Sequence, residues 1–103
     1  MTETMINELI SMGGNRWTKG NYDRIYFNAD VLGVECEFYK SGNISSAWFK
    51  GEKISNAQAR RYYGAKTFVD VKTGEVHSDN AELADAAREL IQTKVALNAP
   101  PQC

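Results

Sequence analysis

The sequence predicts an α+β domain over residues 1–98: a single two-layer unit with one antiparallel sheet of about five strands and helices on one face. Two observations carry this. Apolar residues alternate at period two through the middle of the chain, and they recur at helical spacing near its ends and once between the strand runs. Short turn signals, Ser41-Gly42-Asn43 and Lys72-Thr73-Gly74, join successive strands, and connections that short force antiparallel pairing.

Thr2 to Met12 reads as a helix, because Met5, Leu9 and Met12 recur at spacings of four and three beside Ile6 and Ile10. Thr2 is its cap, and Gly13-Gly14 ends it. Arg16 to Lys19 is a short edge strand. Tyr22 to Asn28 follows, with Ile25 and Phe27 on one face and Arg24 and Tyr26 on the other. One helical turn, Asn28 to Leu32, leads through Gly33 to the strand Val34 to Lys40 and its partner Ile44 to Lys50.

Ser55, with Gln58 three residues on, marks a capped helix over about Asn56 to Tyr63, and Gly64 is its expected left-handed stop. Lys66 to Val71 and Glu75 to His77 form a hairpin. Ser78 or Asp79 caps the last helix, with Asp79 and Glu82 as a second capping box. Leu83, Ala86, Ala87, Leu90 and Ile91 are its apolar stripe. Residues 99–103, which include two prolines, read as a disordered tail.

The chain has 103 residues, 43% of them hydrophobic and 24% charged, which suits one modest core and not two. The formal net charge of −1 gives no global attraction to nucleic acid or to an anionic membrane. The charge is unevenly spread: the stretch Arg16 to Lys66 holds nine Lys/Arg against five Asp/Glu, and the remainder is acidic. Cys36 alternates with Val34 and Phe38 and is expected to be a buried thiol; Cys103 lies in the tail. Two such cysteines build no disulfide framework, and no signal peptide or bilayer-length apolar run is visible. A cytoplasmic location is expected.

Catalytic and cofactor chemistry find little support. One histidine and two cysteines cannot form a common zinc site, and no cofactor motif occurs. His77, at the end of a strand, has no nucleophile beside it in sequence. Glu35 and Glu37 share a strand face at period two, as acid–base pairs can, but such pairs are ordinarily the wet side of a sheet. The remaining candidate is a basic-aromatic set: Trp17, Lys19, Arg24, Tyr26, Lys50, Lys53, Arg60, Arg61, Tyr62 and Tyr63. Arginine and lysine grip phosphates while rings stack on bases, and the same residue types dominate protein interfaces. Arg60-Arg61-Tyr62-Tyr63 with Lys50, Lys53 and Arg24 is the expected binding surface; which of the two tyrosines faces outward is left open.

Several segments together resemble short proteins encoded on phages and conjugative elements of Firmicutes-type bacteria. They are Arg16-Trp17-x-Lys19-Gly20 with Asp23-Arg24-Ile25-Tyr26, Tyr39-x-x-Gly42-Asn43-Ile44-Ser45-Ser46-Ala47, Ile54-Ser55-Asn56 with Ala59-Arg60-Arg61, and Asp70 to Val76. The resemblance covers about Arg16 to Asp79. It implies no catalytic residues. It implies a protein that acts by binding: to element DNA or RNA, to a host regulator, or to a defence factor in the manner of anti-CRISPR inhibitors. Three functions therefore stand as expectations. The first is a non-enzymatic binder of another protein, the second a nucleic-acid-binding accessory protein, and the third an enzyme using His77 or Glu35/Glu37. A homodimer through an open sheet edge, at Arg16–Lys19 or Glu75–His77, is compatible with each.

Overall fold

A computed structural model describes residues 1–98, with side chains through residue 93, and these residues form three helices and seven strands. Their order is α1 (Glu3–Ser11), β1 (Asn15–Lys19), β2 (Tyr22–Phe27), β3 (Val34–Phe38), β4 (Ile44–Phe49), β5 (Glu52–Ile54), α2 (Asn56–Gly64), β6 (Thr67–Asp70), β7 (Val76–Ser78) and α3 (Ala81–Asn98). All strand pairing is antiparallel, as expected of this α+β chain.

The strands divide between two sheets where one of about five was expected. A four-stranded sheet runs β1-β2-β6-β7, and a three-stranded sheet runs β3-β4-β5. The division comes from a pairing between distant segments. Ile25 of β2 sits opposite Val69 of β6, so the partner of β2 arrives only after α2. Residues 28–33 carry the chain out of the first sheet through a single turn. In it Leu32 N–H donates to Ala29 C=O, and Gly33 takes a φ of +105°.

Alternation decides which face is covered. Ile25, Phe27, Thr67 and Val69 point inward and are buried, against Ile6 and Leu9 of α1 and Leu83, Ala86 and Ala87 of α3. Val34 and Tyr62 belong to the same core, so the smaller sheet and α2 are joined to the larger layer by one apolar cluster. Gly14 marks the tightest approach: a Cβ there would lie 2.7 Å from both the Leu9 carbonyl oxygen and Ile25 Cγ2.

The helix starts follow local chemistry with one correction. Thr2 Oγ1 accepts from Met5 N–H and Ser55 Oγ from Gln58 N–H, as the sequence predicted. The cap of α3 is instead Asn80, whose Oδ1 accepts from the N–H groups of Glu82 and Leu83. Ser78 and Asp79 have other tasks. Ser78 Oγ bonds Thr67 Oγ1, and Asp79 Oδ2 accepts from Lys66 N–H. The left-handed stop expected at Gly64 is also absent: Gly64 is the last residue of α2, and Ala65 leaves it in an extended conformation.

The β4–β5 hairpin was not read from the sequence. Its two-residue turn is Lys50-Gly51, with φ of 51° and 83°, and positive φ at both central positions is the geometry of a type I′ turn. Lysine seldom occupies the first of those positions, so the sequence marks Gly51 as a turn glycine without marking a hairpin around it.

Candidate binding surfaces

Helical geometry breaks up the run Arg60-Arg61-Tyr62-Tyr63. Successive residues on a helix are turned by roughly 100°, so four neighbours cannot share a face. Tyr62 points into the core at 1% exposure, with its ring 5.0 Å from that of Phe49. It is therefore no surface residue, contrary to its place in the expected set. Arg60 and Tyr63, three positions apart, fall on one flank, and Arg61 faces another way. The two guanidinium groups make no hydrogen bond, ion pair or ring contact with the described residues.

On the Arg60–Tyr63 flank, α2 lies beside the β3–β4 hairpin. Phe38, Ile44, Asn43, Gly42, Arg60 and Tyr63 line an open groove of about 310 Å³. Phe38 and Tyr63 are 57% and 43% exposed, and Tyr39, which directly follows Phe38, is 61% exposed. Asn56 ties helix to hairpin by donating from Nδ2 to the Ile44 carbonyl at 3.0 Å. Behind the groove the Tyr63 phenol meets Cys36, a half-buried free thiol. Burial first, then the hydrogen bond with Cys36, pushes the Tyr63 phenol up to about 12.

The two lysines of the expected set lie elsewhere. Lys50 Nζ is ion-paired to Glu89 of α3 at 2.6 Å. Lys53 stands 4.9 Å from the ring centroid of Trp48, and Glu35 sits opposite Trp48, so all three share the far face of the smaller sheet.

Arg24 belongs to a second surface, the uncovered face of the larger sheet. One ring from each strand forms a row there: Trp17, Tyr26, Phe68 and His77. Successive centroids are 6.4, 5.1 and 5.1 Å apart. Tyr22 stacks on Trp17. The Arg24 guanidinium lies 4.3 Å from the Phe68 centroid and 4.7 Å from that of Tyr22, and its Nη1 donates to Tyr26 Oη. Its Nε is buried and finds no acceptor among the described residues.

His77 is half exposed at the end of this row, with Glu75 3.8 Å away. A broad hollow of about 740 Å³ extends from the row past His77 to Asp85 and Arg88 of α3. Glu35 and Glu37 are both exposed. Among the described residues no cluster of His, Cys, Asp and Glu could hold a metal ion, and no helix is long and apolar enough to cross a membrane. Cys103 and the tail lie outside the described residues.

Sequence reasoning did not place Phe38 and Ile44 with Arg60 and Tyr63, nor Phe68 and His77 with Trp17 and Tyr26. Alternation did show that Phe68 and Arg24 point away from the core side of their strands. The β2–β6 register that puts them together has no local signal. Comparison of the chain with protein-family models, curated proteins and solved structures found no match.

Proposed function

We propose that this chain is a non-enzymatic binding protein whose target is another protein, gripped at the groove between α2 and the β3–β4 hairpin. The observation that carries the reading is the meeting of Phe38, Ile44 and Tyr63 with Arg60 around an apolar hollow whose lining holds no acid. Rings and arginine are the residue types that concentrate binding energy at protein interfaces, and an arginine without an ion pair keeps its donors available. The fitting partner inserts an apolar side chain into the hollow and presents a carboxylate to Arg60. The mobile-element resemblance makes host regulators and defence factors, including the targets of anti-CRISPR-type inhibitors, the first partners to try.

The test is capture from nuclease-treated host lysate, with wild type beside Arg60→Glu, Phe38→Ser and an Arg24→Ala control. A partner retained by wild type and the control, and lost by the two groove variants, supports the reading. Equal retention by all four chains removes the groove as the contact surface.

A second reading, single-stranded nucleic acid, is favoured by the ring row, since sheet-borne aromatics with a neighbouring arginine stack on bases. Two features count against it. Arg24 and the neighbouring rings already occupy much of the ring faces. Asp70, Glu75 and Asp79 share that face by alternation, so phosphates meet acids there as well as Lys19 and Lys66. Binding that falls steeply with rising salt and is abolished by Trp17→Ala would favour nucleic acid over the groove.

A further inference from the structure

We infer that β1 pairs, antiparallel and centred on Trp17, with β1 of a second copy of this chain, joining two four-stranded sheets into one of eight. The inference rests on the open sheet edge and is independent of the groove.

Strand β1 pairs on one side only, and all five of its residues are exposed. The direction of its unpaired groups follows from the neighbouring bonds. Val71 N–H donates to Asp23 C=O at 2.9 Å, so the polar groups of Asp23 face β6 and those of Arg24 face β1. Asp70 N–H donates to Glu75 C=O at 2.8 Å, away from β2, which gives the same assignment for its opposite residue Arg24. Trp17 is opposite Arg24, so it bonds to β2, and Arg16 and Thr18 turn their N–H and C=O groups to the open edge.

A two-fold axis at Trp17 uses those groups in register. Arg16 then exchanges both hydrogen bonds with Thr18 of the second copy, and Thr18 with its Arg16. The two Trp17 residues form the central non-hydrogen-bonded pair, where side chains approach most closely. No like charges stand opposite one another: Arg16 meets Thr18, and Lys19 meets Asn15. Arg16 is in any case neutralised by a two-pronged bond to Asp23, at 3.0 and 2.7 Å. Charged edge strands ordinarily repel such pairing, and here the register removes the repulsion.

The other edges are less suited. Strands β5 and β7 have three residues each, and β3 carries an irregularity between Glu37 and Phe38. Trp17, 41% exposed at the end of the ring row, gains a ring to pack against, and the row continues across the axis.

Light scattering on the full chain tests this, with a mass of twice 11.5 kDa expected as concentration rises. Thr18→Pro deletes an outward N–H without touching the bonds to β2. It should weaken association at least about tenfold, the equivalent of about 1.4 kcal/mol, while circular dichroism confirms the fold. In a Cys36→Ser, Cys103→Ser background, Trp17→Cys should form a disulfide-linked dimer on oxidation, because non-hydrogen-bonded pairs bring Cβ atoms within bridging distance. Lys19→Cys, on the same face but out of register with itself, should not. A chain monomeric at its highest soluble concentration overturns the proposal. So does a dimer indifferent to Thr18→Pro, or one that cross-links equally through residue 19.

Discussion

The hydroxyl of Tyr62 donates to the carboxylate of Glu82 and accepts from Nε2 of Gln58, so one buried side chain ties α2 to the first turn of α3. Its ring packs on Phe49, which adds β4 to the same junction. Tyr62 thus joins the smaller sheet and its helix to the rest of the core, and the residue that looks most like part of a binding motif acts as a structural pin. Removing the hydroxyl in Tyr62→Phe leaves Gln58 and Glu82 able to meet water, so it should cost only about 1 kcal/mol. Tyr62→Ala empties the junction and should cost about 3–5 kcal/mol. Urea unfolding of both variants checks the difference, and equal losses would mean that the ring contributes little.

Two glycines should respond in opposite directions. Gly14→Ala forces a methyl against the Leu9 carbonyl and Ile25 Cγ2, both held in the core, and should destabilise the fold by about 1–3 kcal/mol. Gly64 has nothing within 4 Å of a built Cβ and sits in α2 without a positive φ. Gly64→Ala should therefore stabilise by about 0.5–1 kcal/mol, through helix propensity and a less flexible unfolded chain. Thermal melts of the pair give the test; a destabilised Gly64→Ala would show that the residue needs the left-handed conformation after all.

The Tyr63 phenol, pushed up to about 12 by burial and by Cys36, should titrate late. A raised phenol favours the neutral form in the fold. Stability from this source is therefore intact below the ordinary tyrosine value of about 10 and falls as pH rises from there toward the folded value. Ultraviolet titration should show a late component that vanishes in Tyr63→Phe. Cys36→Ala should lower its midpoint without abolishing the upward shift, because burial is the larger cause.

The Arg16 guanidinium, by its hydrogen bonds, holds the Asp23 carboxylate below the usual carboxylate range. A lowered carboxylate contributes stability that is complete above the unfolded value of about 3.9 and is lost as pH falls through the folded value. Asp23→Asn should flatten the acid limb of the stability curve by lowering the neutral-pH plateau toward the acid value, a small change for a pair this open to water. An acid limb that is identical in wild type and variant would rule out that contribution.

Local chemistry alone determined most of the elements. Side-chain oxygens at Thr2 and Ser55 start helices whatever surrounds them. Gly42 and Gly74 turn hairpins because positive φ suits glycine, and alternation in β2 and β6 sorts core from solvent within each strand. Those signals act over a few residues and are complete within them. The division into two sheets depended on β2 choosing β6 as its partner, some forty residues away, a choice made by packing against α1 and α3 rather than by either strand alone. The surfaces followed from that choice. Only the folded chain brings Phe38 to Tyr63, lines up a ring from each strand of the larger sheet, and turns Tyr62 inward while Arg60 stays in water, because side-chain neighbours across a sheet or between a helix and a hairpin are set by register and packing, which no short stretch of sequence contains.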